Sequence, residues 1–292
     1  MEIRVLKYFL TVAREENITR AAEILHITQP TLSRQLMQLE DELGTQLFSR
    51  GKSKITLTDE GMLLRRRAEE IVELSDKTER EFQQVDDVIG GEIFIGGGEL
   101  DSMRFLAEIV KSFHEEYPQV EFNLHSGNAD DIKERLDRGI IDVGLLAEPV
   151  DISKYDFVRL PQKDIWGVVM RKDSPLASKD YITPQDLKNQ PILCSRRSLV
   201  QNEIASWFGD VFDDVEIVAT YNLVYNAALL VEAGMGYVMT LNVANTSEES
   251  KICFRPLYPK LETGSVIVWK KHQVFSPATT RFIERIRNAF KD

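Results

Sequence analysis

A chain of 292 residues, 43% of them hydrophobic, is long enough for about two domains with separate cores. No apolar run reaches the ~18 residues of a membrane span, and Glu2, Arg4 and Lys7 interrupt any export-signal core, so a cytoplasmic protein with no membrane partner is expected. The net charge of −11 argues against a nucleic-acid binder only until its distribution is examined: residues 4 to 67 carry 11 Lys/Arg against 8 Asp/Glu, whereas residues 91 to 292 carry 23 against 30.

Residues 3 to 14 read as an opening helix with Val5, Phe9, Val12 and Ala13 on its apolar side. Asn17 can cap a second helix, Ile18 to Leu25, in which Ala21 and Ala22 are small enough for two helices to cross closely. His26 and Ile27 leave a tight connection before the stretch from Thr28 to Gly44. Both ends of that stretch are marked. Thr28 suits an N-cap, Pro30 the first turn, and Gly44 a left-handed stop. Leu32, Leu36, Leu39 and Leu43 predict one buried stripe. Around it, Gln29, Thr31, Ser33, Arg34 and Gln38 can hydrogen-bond base edges or phosphates, with Thr28 and Pro30 beside them. At the other end Glu40-Asp41-Glu42 would repel a polyanion. A helix that can approach DNA only by its first turns has the docking geometry of a helix-turn-helix recognition helix. Downstream, Gln46 to Arg50 and Lys54 to Leu57 predict a hairpin around Gly51-Lys52-Ser53. Its basic residues Arg50, Lys52 and Lys54 suit a phosphate backbone. The expected amino-terminal domain is an all-α winged helix-turn-helix over residues 1 to 58.

These residues carry a resemblance. AAEILHITQPTLSRQLMQLEDELGTQLF-R followed by K-ITLTDEG is similar to the amino-terminal domain of the LysR-type transcriptional regulators, and the likeness extends over essentially the whole chain. The AA-x-x-L, TQP-x-x-SRQ, LE-x-x-LG-x-x-LF-R and LT-x-x-G elements stand in the family's order and spacing. One departure is the wing, where Lys52 and Lys54 stand where many relatives carry arginine. The resemblance implies a sequence-specific regulator of transcription that binds double-stranded DNA at an inverted repeat. It also implies a homodimer or homotetramer, a small-molecule effector, and RNA polymerase as a candidate contact.

Thr58 and Asp59-Glu60 open a long linker helix, 59 to about 88, closed by Gly90-Gly91. Leu64, Ala68, Ile71, Ser75, Thr78, Phe82, Val85 and Ile89 follow spacings of four and three, a heptad seam softened at Ser75 and Thr78. Leu64, Ala68, Ile71, Phe82 and Val85 are the expected dimerisation residues, as the resemblance also implies.

From Glu92 strands and helices alternate. Strands are expected at Ile93–Ile95, Val120–Leu124 and Ile141–Leu146, with helices at Ser102–Tyr117 and Asp130–Arg138. A second series runs from Trp166–Met170 through a helix at Pro184, Ile192–Cys194, Val200–Phe208, Val215–Thr220 and Asn222–Ala233 to Tyr237–Met239. Val266–Trp269 and the helix Ser276–Phe290 end the chain. This alternation predicts an α/β domain with largely parallel strands in two lobes. The resemblance implies a periplasmic-binding-protein-like fold, with lobe I at about 91–162 and 269–292 and lobe II at about 163–268. The hinge would lie near Gln162-Lys163 and Val268-Trp269.

Ligands of open α/β sheets bind beyond the carboxyl ends of strands, at adjoining helix amino termini. The loops expected there offer Gly98, Asp101 and Ser102, then Asn128, then Ser195 and Arg196 or Arg197, then Tyr221. Ser102 is the leading candidate, at a helix terminus suited to a carboxylate. The triple glycine at 96–98 lacks the later glycine of a dinucleotide fingerprint. Cys194, Cys253 and the four histidines resemble no metal site, and the two thiols read as core residues. No nucleophile, Walker or zinc-protease motif is present, and Asp142 reads as structural. No catalytic residue, metal or cofactor is expected. The competing classes are a solute-binding component, opposed by residues 17 to 61, and an enzyme with an appended DNA-binding domain.

Overall fold

The computed structural model describes residues 1–50, 55–82, 89–242 and 250–290, with side chains at 50 and 80–82 left aside. Lys52, Lys54 and Val85 therefore lie outside the described residues, as do the side chains of Arg50 and Phe82. The chain divides into two compact units, Met1–Val85 and Asp86–Asp292.

In the first unit, α1 (Ile3–Glu15), α2 (Ile18–Ile24) and α3 (Gln29–Leu43) precede a two-stranded wing, β1 (Phe48–Arg50) with β2 (Ile55–Leu57), and α4 (Asp59–Phe82). Asn17 accepts from Arg20 N at 3.1 Å and caps α2. His26 takes the left-handed conformation (φ 52°) that turns α2 into α3, and Ala21 and Ala22 are buried at the helix crossing. Gly44 ends α3 at φ 69°, a conformation costly for residues with a Cβ. Leu32, Leu36 and Leu39 are buried, but Leu43 is 42% exposed. The core place after Leu39 goes to Leu47, where the chain returns. The Glu40 carboxylate, expected only to repel a polyanion, accepts from Leu47 N (2.7 Å) and Phe48 N (3.2 Å) and joins the wing to α3. Thr58 caps α4 by accepting from Gly61 N at 3.0 Å.

The linker seam needs correction. Ala68 is fully buried and Leu64 partly so, both in the core built on Val5, Leu6, Phe9 and Val12 of α1. Lys7 of α1 donates to Asp76 of α4 at 2.6 Å, fixing the same face. Ala68 therefore packs inside its own domain, and Leu64 turns part of its surface the same way. A heptad stripe buries itself against whichever apolar surface is available, and here α1 supplies it. Three exposed apolar residues lie on the adjoining flank: Leu63 at 61%, Ile71 at 38% and Leu74 at 42%.

The second unit begins with β3 (Gly91–Gly97), α5 (Met103–Glu116), β4 (Val120–Ser126), α6 (Ala129–Asp137) and β5 (Val143–Ala147). β6 (Tyr155–Arg171) follows, 17 residues long, where only Trp166–Met170 was expected. Pro184 opens a four-residue 3-10 turn, too short to be the expected helix. Then come β7 (Pro191–Ser195), α7 (Ser198–Phe208), β8 (Glu216–Tyr221), α8 (Val224–Glu232), β9 (Tyr237–Leu241), β10 (Ile252–Pro256), β11 (Glu262–Lys270) and α9 (Pro277–Ala289). Strand order is β4-β3-β5-β11-β6-β9-β7-β8, with β10 on β6. The pairs β3–β4, β3–β5, β7–β8 and β7–β9 are parallel, while β6, β10 and β11 pair antiparallel.

Two lobes follow from the cores. Ile95, Phe113, Leu160, Ile267 and Phe282 belong to one, and Trp166, Val168, Cys194, Ile204 and Met239 to the other. β6 thus changes lobe between Leu160 and Trp166. The return along β11 falls at Gly264 and Ser265, not at Val268-Trp269, because Val266, Ile267 and Val268 pair with β5 and are buried in the first lobe. The β6–β11 register slips at this crossing. Asp142 accepts from Phe94 N at 2.9 Å, a structural role.

Candidate nucleic-acid interface and ligand cleft

The first two turns of α3 present Thr28, Gln29, Pro30, Thr31 and Arg34 to solvent, with Ser33 half-buried and Gln38 exposed one turn on. Neighbours hold some of these in place. Gln29 donates to Ser33 Oγ at 2.9 Å, and Thr28 and Thr31 share a hydroxyl hydrogen bond of 2.8 Å instead of a side-chain cap. Gln38 reaches Glu42 at 3.4 Å. Arg34 pairs with no other described residue, so its five donors remain available for a base edge or phosphate. Leu32, Leu36 and Leu39 anchor the opposite face and set the direction in which Arg34 projects.

In the second unit a cavity of about 100 Å³ opens between the lobes. Gly98, Asn128, Ser195 and Tyr221, all expected at a ligand site, line it together with Glu99, Leu100, Trp166, Arg197 and Thr240. Asn128 is buried and accepts from Asp130 N (2.9 Å) and Asp131 N (3.1 Å), capping α6. The Tyr221 hydroxyl donates to Met239 O at 2.6 Å, and burial raises its pKa.

Three expected residues are absent from the lining. Ser102 is 4% exposed and donates to Ser265 Oγ at 3.0 Å, which in turn donates to Asp164 Oδ2 at 3.2 Å. The amino terminus of α5 therefore faces a carboxylate supplied by the chain itself, at the hinge. Burial raises the Asp164 pKa, and hydrogen bonding from Ser265 and Ser102 only partly offsets it. Asp101 turns outward to Arg104 at 2.6 Å. Arg196 is half-exposed and bound to Asp131 of the other lobe at 3.3 Å. The arginine of the cleft is Arg197. Its side chain is 6% exposed and donates to Asp130 Oδ2 (3.3 Å) and Pro149 O (3.0 Å), again across the lobes. Burial decides between the adjacent arginines: the Arg197 side chain is enclosed and that of Arg196 is not.

Trp166 and Thr240 were missed because they lie in strands β6 and β9, where the sequence reads as uninterrupted core, and Glu148 because it lies in the bend that follows β5. No group of three or more possible metal ligands occurs among the described residues.

Residues 3–62 match the family model of bacterial regulatory helix-turn-helix proteins of the lysR family, and residues 87–291 match the LysR substrate binding domain. The chain is 35% identical to the HTH-type transcriptional regulator BsdA of Bacillus subtilis over 67% of each chain. It is 29% identical to the Hca operon transcriptional activator HcaR of Escherichia coli K12, over 97% of this chain and 96% of that one. In structure it resembles CbnR, a LysR family transcriptional regulator, with TM-score 0.78, 23% identity and full coverage of both chains. CbnR has also been solved in complex with its target DNA; that chain matches with TM-score 0.75 and 23% identity over 99% of this chain and all of that one. A winged helix-turn-helix with a free arginine on its recognition helix, a two-lobed domain with a cleft, and models matching both place this chain in the LysR family of bacterial transcriptional regulators.

Proposed function

We propose that the chain reads an operator through the amino-terminal half of α3, with Arg34 on a base edge and the wing on phosphates, and that a small molecule in the interlobe cleft alters this binding. Arg34, unpartnered among the described residues on an otherwise anchored helix, carries the reading, because its donors can meet DNA without first breaking an internal bond. A ligand that touches both lobes favours one hinge angle, and only its difference in affinity between two states can shift DNA binding. Two recognition helices held together match an inverted repeat, as expected of a homodimer or homotetramer. The exposed flank of α4 around Ile71 and Leu74 is where we place the partner helix. The wing lysines Lys52 and Lys54 remain assigned to phosphates. Among the described residues no helix is long and apolar enough to cross a membrane, and this reading sets the protein to work on DNA in the cytoplasm, with no catalytic step and no cofactor. Footprinting on the DNA flanking its own gene, with and without candidate metabolites, tests the reading. Uniform protection of every sequence would overturn it.

A further inference from the structure

The outward face of α3 carries a large apolar side chain beside its free arginine. Met37 follows Arg34 by three residues and Ser33 by four, which sets it one turn further along the same side of the helix. The buried stripe of Leu32, Leu36 and Leu39 lies on another face, and Met37 is 46% exposed. Leu43, the other exposed large apolar residue of α3, comes after Glu40-Asp41-Glu42, whose charges keep phosphates from that end.

A single exposed methionine on an ordinary surface needs no explanation. This one is seated. With Ser33 and Glu40 it lines one side of a gap of about 20 Å³, and Phe48 of β1 and Ile55 of β2 line the other. The gap has room for about one water molecule and none for a ligand. The wing therefore backs Met37 on one side and leaves the rest of its surface open. Glu40, the charged member of the gap, is already engaged by Leu47 N and Phe48 N. What remains outward between Arg34 and the acids is a donor-free side chain.

Base edges in the major groove present donors and acceptors at every pair but only one apolar protrusion, the thymine 5-methyl. A thioether gains nothing from a polar edge and desolvates it, whereas it gains by covering a methyl group. Its unbranched, polarizable chain adapts to such a contact. We infer that Met37 is a specificity-determining residue that packs on the 5-methyl group of an operator thymine, one turn of α3 beyond the base edge read by Arg34. This rests on the operator reading given above.

Deoxyuridine lacks only the methyl group of thymidine and keeps the donors and acceptors of both grooves. The test therefore uses duplexes of the segment protected on the DNA flanking the protein's own gene, with each thymine replaced in turn by deoxyuridine. Fluorescence anisotropy with the full-length protein gives the affinities. At one thymine of each half-site the replacement should weaken binding about fourfold, the worth of one buried methyl group. Met37→Ala should weaken the thymine duplex at least as much and show no further loss on deoxyuridine. Its affinity for random duplex and its melting temperature should stay unchanged, because the side chain is exposed. Met37→Leu keeps an apolar side chain and should keep the preference for thymine. The inference is overturned if no thymine responds or if Met37→Ala retains the full deoxyuridine effect. It is also overturned if Met37→Ala weakens operator and random duplexes alike, which would mean that the residue acts only by supporting the wing. In each of those cases a native protein that still prefers its operator to random DNA leaves the operator reading standing. Equal binding of operator and random duplexes by the native protein would overturn both.

Discussion

The recognition helix and the helices around the cleft treat their amino termini in opposite ways. At α3 the first turns stay open: Thr28 makes no side-chain cap, its hydroxyl goes to Thr31, and Arg34 is free. In the second unit the chain fills such positions itself, with Asn128 at α6, Glu99 against Tyr225 N at α8, and Asp164 beside Ser102 at α5. An open terminus on a convex surface is hydrated and costs little, so it can wait for DNA. Inside a cleft between lobes the same donors would be partly desolvated, and internal acceptors stabilise them. A helix terminus is therefore a good indicator of function on the surface and a poor one in the interior.

The largest effect should come from confusing interior with surface on α4. Ala68→Asp buries a carboxylate in the first unit's core and should destabilise that unit by about 3–5 kcal/mol, seen as an early transition in urea. Ile71→Asp with Leu74→Asp, on the exposed flank, should leave that transition in place and give monomers by light scattering. Were the double variant still dimeric, the partner surface would lie elsewhere.

Next in size is the open terminus of α3. Arg34→Ala should cost ~1–3 kcal/mol of operator affinity and relax preference at one base pair, with little change in melting temperature. Equal weakening on operator and random DNA would move Arg34 from base edge to phosphate.

At the filled terminus of α6, Asn128→Ala should lower the stability of the second unit by about 1 kcal/mol even with no ligand present, because two backbone N–H groups lose their acceptor. Unchanged stability would make Asn128 a ligand contact first and a cap second.

The smallest effect concerns Asp164. Its pKa in the folded chain is raised by burial, so the native state holds the proton more tightly than the unfolded chain does. The stability this contributes is present below the unfolded value near 3.8 and is lost as pH rises through the folded value. Asp164→Asn cannot ionise, so its melting temperature relative to the native protein should climb over that interval and level off above it. A difference independent of pH would mean that Ser102 and Ser265 fully offset the burial.

Much of this architecture was legible in the residues. Apolar periodicity, the Asn17 cap, the Gly44 stop and the segregated charges of residues 28–44 marked the helix-turn-helix, since each acts within a few residues along the chain. Alternating strands and helices marked the α/β domain for the same reason. The extent of β6 escaped because residues 155–165 are of mixed polarity and no strand was expected there.

What only tertiary structure decided was which side of each pattern finds a neighbour. Leu64 and Ala68 carry a seam that α1 covers first, and Ser102 sits at a terminus already facing Asp164 from 62 positions along the chain. Arg196 and Arg197 are adjacent in sequence, yet one is half-exposed and the other closes the cleft. Local periodicity states that a face will be buried. Long-range packing alone selects the surface that buries it and the polar group left without a partner.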